Sequence, residues 1–226
     1  MRAPASPDAV AFAPALADVR DYYTARVARH GPTPLGVDWP CATTQDLRFV
    51  QLLRMCDFST SFTLNDLGCG YGALLGFLGR RHRGRRVEYA GTDLSDLMIH
   101  HALRRWRRRH GTQFAVADHC LRLADYSLAS GIFNVKLNQP LAAWEILVAR
   151  TLRGLHRHSR VAFAVNFLRP GPDGAADIPQ LYRPPTEQWV RYCEQDLGCS
   201  VALLEEYGLH EYTLIARPAS RVRYLP

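Results

Sequence analysis

No apolar run in the sequence approaches the length of a membrane span, so a helical membrane protein is not expected. The opening residues Met1 to Pro7 lack the apolar core of a secretory signal, which leads to the expectation of a cytoplasmic protein. Cysteine pairing is missing too. Cys41, Cys56, Cys69, Cys120, Cys193 and Cys199 contain no Cys-x-x-Cys spacing, and scattered thiols in a chain of 226 residues point to a reduced compartment with no zinc or other metal site. Lysine is almost absent: Lys136 is the only one, and arginine carries the formal net charge of +7. No internal repeat and no second domain is evident. With 47% hydrophobic residues, the chain is long enough for one well-cored α/β domain.

A basic chain raises the possibility of nucleic acid. Two runs hold much of the charge, Arg80-Arg81-His82-Arg83-Gly84-Arg85-Arg86 and Arg104-Arg105-Trp106-Arg107-Arg108-Arg109-His110. Both fall at the ends of predicted helices, where cations complement the helix dipole. A solvated basic rim, opposite the functional edge, is the favoured reading, with no nucleic-acid partner.

What is present centres on Asn65-Asp66-Leu67-Gly68-Cys69-Gly70-Tyr71-Gly72. The β-branched and apolar run Phe62-Thr63-Leu64 precedes it, and Ala73 to Leu78 follows with apolar residues at helical spacing. That order reads strand, glycine turn, helix. The glycines permit a sharp turn and close approach of a ligand to the backbone. The position that would complete a dinucleotide Gly-x-Gly-x-x-Gly is Ala73, so a pyrophosphate cradle is disfavoured. One strand later, Arg86 to Thr92 ends at Asp93, where ligands of open parallel sheets bind. Asp93 can cap the next helix, as Ser95 also can; beside the glycine loop, ribose binding is the better reading.

Asp66-Leu67-Gly68-Cys69-Gly70-Tyr71-Gly72, then Asp93, then Ala117-Asp118, resembles the cofactor signature of the class I S-adenosylmethionine-dependent methyltransferases, with matching order and spacing from Phe62 to Asn138. The resemblance implies that the backbone of Gly68, Cys69, Gly70 and Gly72 cradles the methionine part, below Asp66. It implies that Asp93 holds the ribose, that Leu94 and Met98 pack on the adenine, and that Ala117 and Asp118 face its amino group. Ser130 joins this cofactor-binding set.

Along the rest of the chain, residues 1 to about 12 are Ala/Pro-rich, and Ala13 to His30 reads helical with Leu16, Val19, Tyr23 and Val27 on one face. Tyr22 is a candidate pocket residue; Tyr23 reads as core. Thr44 can cap a second helix running to about Met55. On it Gln45 and Arg48 share the stripe of Phe49 and Leu52. Arg48 reads two ways, as a clamp on a ligand carboxylate or as a salt bridge tying the N-terminal piece to the sheet. The segment from His30 to Trp39, with Gln45 and Arg48-Phe49, resembles a subgroup of small bacterial methyltransferase-like enzymes in which this piece lids the cofactor; the resemblance adds Trp39 to the cofactor wall. The domain division that follows is a tail and helical lid over 1–57 and a cofactor-binding unit over 58–226.

Gln113 to Val116 reads as a third strand and Asp125 to Lys136 as a fourth strand with its loop. Enzymes of this class that methylate nucleobase or glutamine nitrogens carry Asn/Asp-Pro-Pro-aromatic there, whereas this chain has Ser130-Gly131-Ile132-Phe133-Asn134. Asn134 is a candidate for the chemistry and Asn138 for a helix cap. Pro140 to His156 reads helical, Arg160 to Leu168 as a strand, Arg169 to Pro185 as a long loop containing the pocket candidate Tyr182, and Thr186 to Leu197 as helix. Ser200 to Glu206 and Glu211 to Arg217 read as a terminal antiparallel hairpin. The expected fold is a Rossmann-like, doubly wound, seven-stranded, mostly parallel sheet with helices on both faces and an N-terminal helical lid.

The expected activity is alkyl transfer from S-adenosylmethionine to a small molecule, most simply methyl transfer. The chain also resembles azetidine-2-carboxylate synthases of natural-product pathways, in which the cofactor is its own substrate: its α-amine attacks its γ-carbon and methylthioadenosine leaves. For that reaction Tyr22, Asn134 and Tyr182 are the catalytic candidates. A cofactor-binding protein without catalysis is a third reading. The sequence sets no oligomeric state.

Overall fold

A computed structural model describes residues 12–171 and 178–219. The Ala/Pro-rich opening up to residue 11 and part of the long loop after Leu168 lie outside the described residues. Strand β1 (Phe62–Leu67) is almost wholly buried. Side chains alternate between faces along a strand, so a β-branched and apolar run buried on both faces sits in the interior of a parallel sheet. β1 pairs in parallel with β2 (Val87–Asp93) and with β4 (Ala124–Ala129). β3 (Thr112–Val116) lies outside β2, and β5 (Ser159–Leu168) lies beyond β4, both parallel. β7 (Glu211–Pro218) runs antiparallel to β5, and β6 (Cys199–Leu204) antiparallel to β7. The seven strands stand in the order β3-β2-β1-β4-β5-β7-β6, with the expected terminal hairpin.

The helices are α1 (Ala13–His30), α2 (Ala42–Leu52), α3 (Ala73–Arg81), α4 (Asp96–Trp106), α5 (Leu141–Arg157) and α6 (Thr186–Arg191). One core joins Leu74, Leu75 and Leu78 of α3 to Phe62, Leu64, Tyr89 and Leu128 of the sheet. The other joins Trp144, Leu147, Val148 and Leu152 of α5 to Phe163, Val165 and Phe167. Each such side chain, fully buried, contributes about 1.5–3 kcal/mol. Phe167 stacks on Phe133 at 5.1 Å and on Trp189 at 6.2 Å, which pins the end of β5 to the loop after β4.

Several local expectations change. Thr44 is not a cap: α2 begins at Ala42, and the Thr44 hydroxyl turns back to the Cys41 carbonyl at 3.3 Å. The helix tightens into a 3-10 turn over Leu53–Met55. Asn138 is not a cap either; Pro140 stands in that place before α5. Ser95 does cap α4, its Oγ accepting the Met98 N–H at 3.3 Å. After α6 the chain makes a π turn over Tyr192–Asp196. The connection of residues 117–123 between β3 and β4 has no helix. Arg122 lies across the sheet there, donating to the Glu88 carbonyl at 2.7 Å and accepting the Asn65 amide at 2.9 Å through its own carbonyl.

The second basic run is not confined to the rim opposite the functional edge. Trp106 reaches under the glycine loop and donates from Nε1 to the Gly72 carbonyl at 3.1 Å, and Arg105 is carried to 5.4 Å from the Tyr71 ring. A β-carbon on Gly72, whose φ is +77°, would stand 2.5 Å from the indole nitrogen. Gly84 has a similar φ of +78° but open space around it. Gly84→Ala is therefore expected to cost only the left-handed backbone, about 1–2 kcal/mol, and Gly72→Ala clearly more. Urea unfolding of the two variants measures this; equal losses would contradict the Trp106 contact.

Candidate functional site

A pocket opens at the carboxyl ends of β1, β2 and β4. Its floor is the glycine loop. Gly68, Gly70 and Gly72 have φ of 74°, 54° and 77°, conformations that side chains other than glycine rarely take. The N–H groups of Gly68 and Cys69 donate to the Thr92 carbonyl at 2.7 and 3.0 Å, so the elbow is bonded to the neighbouring strand. Gly68 packs directly on Ile132, where a β-carbon would collide with the isoleucine methyl.

Asp93 holds the second side. Its Oδ2 accepts the Gly70 N–H at 2.8 Å and its Oδ1 accepts the Ser95 N–H at 2.9 Å. One carboxylate thus fixes the loop after β1 and the start of α4. Burial raises the Asp93 pKa, while the backbone donors at Ser95 and Gly70 oppose the rise. Asp66, behind the loop, accepts the Tyr89 hydroxyl. Burial pushes Asp66 up to about 7, helped by the nearby Asp93 charge and opposed by the Tyr89 hydrogen bond.

The sequence candidates Leu94, Met98, Ala117, Asp118 and Ser130 line the pocket. The Asp118 carboxylate is engaged by Arg150 at 3.0 Å and His119 at 2.7 Å. Burial raises its pKa, but the His119 and Arg150 contacts outweigh that and hold it below the usual carboxylate range. Helix α1 covers the opening with Leu16, Val19, Arg20 and Tyr23. It is tied down by the hydroxyl pair Thr24–Ser95 at 2.8 Å and by Gln139, whose amide donates to Asp18 at 2.7 Å.

Trp39, Gln45 and Arg48 line the remaining wall. Arg48 makes a buried forked ion pair with Glu211, donating from Nε at 3.0 Å and also from Nη2. The pair joins the N-terminal piece to β7, and Arg48 lines the pocket at the same time.

Four sequence candidates stand elsewhere. Tyr22 is outside the pocket lining and hydrogen-bonds to Asp38; burial and that bond raise its pKa to about 12. Its neighbour Tyr23 packs against the core, as read, and also lines the pocket, because the helical phase turns position 23 inward with Leu16 and Val19. Tyr182 is a core residue whose hydroxyl accepts the Trp189 indole N–H at 2.9 Å. Asn134 is buried just behind the lining, its Nδ2 donating to Glu211 at 3.4 Å. Gly72 is outside the pocket lining and faces Trp106, so its glycine requirement comes from the indole and its left-handed backbone. Sequence reasoning missed Glu211; an acid heading the apolar strand Glu211-Tyr212-Thr213-Leu214 was the available signal. It also left Ile132, Trp144 and Leu147 unassigned to the wall. Among the described residues no three His, Cys, Asp or Glu side chains cluster to hold a metal ion, and no helix is long and apolar enough to cross a membrane. All six cysteines are free thiols.

The buried Asp66 carries a consequence for stability. Its carboxyl holds a proton up to about pH 7 when folded, whereas the unfolded chain releases it near pH 3.9. The folded state binds more protons in between, so this group's contribution falls as pH rises from about 4 to about 7, by up to about 1.4 kcal/mol per pH unit. Asp66→Asn keeps an acceptor for Tyr89 and is expected to remove that slope, read as the difference from the parent chain in urea unfolding at pH 5, 6 and 7. An unchanged slope would contradict it.

No protein-family model matches the chain. The chain is 39% identical over 168 residues to "Putative methyltransferase Rv1506c" of Mycobacterium tuberculosis, covering 74% of this chain and the whole of that protein. Among solved structures it is similar to the magnesium protoporphyrin IX methyltransferase ChlM of Synechocystis PCC 6803, determined with bound SAH. That match has a TM-score of 0.65 at 15% identity, covering 90% of this chain and 99% of that one. It is also similar to the [4+2]-cyclase SpnF, with a TM-score of 0.59 at 15% identity, covering 76% and 80%. Strand order, glycine elbow, paired acids and these likenesses lead to one assignment: the chain belongs to the class I S-adenosylmethionine-dependent methyltransferase family.

Proposed function

We propose that the pocket binds S-adenosylmethionine and that the enzyme transfers its methyl group to a small molecule. The observation that carries this reading is Asp93, bonded at once to the glycine loop and to the start of α4, with carboxylate lone pairs left over for two ribose hydroxyls. The adenine has the apolar faces of Leu94 and Met98 beside it, and its amino group has Asp118. The sulfonium has neutral walls in Ile132 and Phe133 and the Tyr23 ring for cation–π contact.

The chain's part in the reaction is placement. The acceptor's lone pair forms the new bond to the methyl carbon while the S–CH3 electron pair returns to sulfur, leaving the neutral thioether. Holding the two reactants in line supplies much of the rate. Asn134, Tyr22 and Tyr182 stand off the pocket wall and receive no role in this step. A small-molecule acceptor, and no nucleic acid, is the partner the reading calls for.

One observation favours keeping ring closure as a second reading: α1 and Trp39 occupy the wall over the pocket, and the described residues contain no separate acceptor domain. In that reaction the α-amine bonds to the γ-carbon, the Cγ–S bond breaks, and methylthioadenosine carries away the electron pair. Incubation with S-adenosylmethionine alone separates the two. Methyl transfer predicts no methylthioadenosine above the solvent background; its enzymatic release would replace methyl transfer with cyclisation.

Binding is tested without any acceptor. Asp93→Asn is expected to weaken S-adenosylhomocysteine binding by about 10- to 100-fold, the worth of hydrogen bonds to a charged group, as measured by calorimetry. Wild-type affinity in that variant would reject the ribose assignment.

A further inference from the structure

Arg150, on α5, stands just outside the pocket lining and touches two neighbours that bear on it. Its Nη2 donates to Asp118 Oδ2 at 3.0 Å, and Asp118 lines the pocket. Its guanidinium carbon lies 5.6 Å from the centre of the Phe12 ring. Phe12 immediately precedes α1 and packs against the core that α5 shares with the sheet. The Phe12 carbonyl accepts the Leu16 N–H at 3.0 Å, and Leu16 lines the pocket in turn. A guanidinium bonds a carboxylate in its plane and meets a ring with its face, so one rigid group serves both neighbours at once. As a stabiliser, an ion pair in which Arg150 is 29% and Asp118 25% exposed is worth little. What it fixes is orientation. The other Asp118 oxygen meets His119 at 2.7 Å, whose side chain is 57% exposed, so Arg150 is the firmer grip.

We infer that Arg150 is a positioning residue that couples Asp118 to the first turn of α1, so that a ligand amino group held at Asp118 fastens the helix over the pocket; this rests on the cofactor pocket proposed above. The Asp118 carboxylate has lone pairs beyond those facing Arg150 and His119, and a donor on one of them restrains it further. A restrained carboxylate restrains the guanidinium, and the guanidinium face restrains the Phe12 ring. Two other ties act at different points of α1: Asp18 accepts from the Gln139 amide at 2.7 Å, and Thr24 meets Ser95 at 2.8 Å. Those hold the middle of the helix, whereas Arg150 meets its start. A purine with a carbonyl in place of the amino group presents an acceptor to Asp118, and so fills the pocket without drawing the carboxylate in. The coupling is reciprocal: loosening the start of α1 weakens the hold on the amino group by the same factor.

The experiment compares S-adenosylhomocysteine with S-inosylhomocysteine, which carries a carbonyl where adenine has its amino group. Hydrogen exchange over residues 13–20 reads the start of α1, and calorimetry reads affinity. In the parent chain, with each ligand at saturation, S-adenosylhomocysteine is expected to slow that exchange more than S-inosylhomocysteine does. Arg150→Met removes the guanidinium, and Phe12→Leu removes the ring while keeping an apolar side chain; each is expected to abolish the difference. Each is also expected to narrow the affinity ratio of the two ligands about tenfold, by weakening S-adenosylhomocysteine alone. A plain structural anchor would instead speed exchange in the free protein and leave the difference between the ligands intact. That result, or equal slowing by both ligands in the parent, overturns the coupling. Failure of S-adenosylhomocysteine to bind the parent chain would overturn the pocket assignment beneath it.

Discussion

The Asp93 carboxylate is the constraint on which the site depends. Charge-assisted bonds from the Gly70 and Ser95 N–H groups hold a loop and a helix start in one relation. The Thr92 carbonyl adds two bonds from Gly68 and Cys69, so the end of β2 sets the shape of the elbow that follows β1. These contacts stand at adjacent strand ends of a sheet buried on both sides, which gives the site its rigidity. Helix α1 is joined to the same point, because the Ser95 hydroxyl meets Thr24. Strand end, glycine loop and two helices therefore meet around Asp93.

Charge is managed differently on the two sides of the pocket. Asp66 is buried behind the loop beside the half-buried Asp93, whose charge raises the cost of ionising Asp66. A cationic ligand nearby favours their charged forms, and the proton that burial holds on Asp66 near pH 7 becomes coupled to binding. On the far side Arg48 and Glu211 cancel one another. A buried pair of this kind contributes little net stability, and removing one member is costly because the other is left alone. Its contribution is to orientation, holding Arg48 of α2 against Glu211 of β7.

Much of the fold was legible in the sequence because periodicity reports burial. The bounds of α1 came out as expected, and the strand runs at Phe62, Arg86, Gln113, Asp125 and Arg160 each became a strand within about two residues. The loop and Asp93 were legible because a turn followed by an acid at a strand end has few other uses; Leu94, Met98 and Asp118 were named only by the family resemblance. The lid wall was not. Whether Tyr22 or Tyr23 faces the pocket depends on the rotation of α1 against α4, a tertiary contact. Tyr182 and Asn134 were placed correctly along the chain, but the stack of Phe133, Phe167 and Trp189 draws that region into the core. The expected caps at Thr44 and Asn138 fail because the helices begin after Cys41 and Pro140, three and two residues away, and neither start uses a side-chain cap. The partnership of Arg48 with Glu211, 163 positions apart, has no local signal at all.

The most direct measurement of the central claim is a crystal structure of the protein with S-adenosylhomocysteine. The account predicts both ribose hydroxyls on the Asp93 carboxylate, the adenine between Leu94, Met98 and Asp118, and the thioether sulfur against the Gly68–Ile132 contact. A ligand bound with its ribose away from Asp93, or outside the pocket at the ends of β1, β2 and β4, would contradict it.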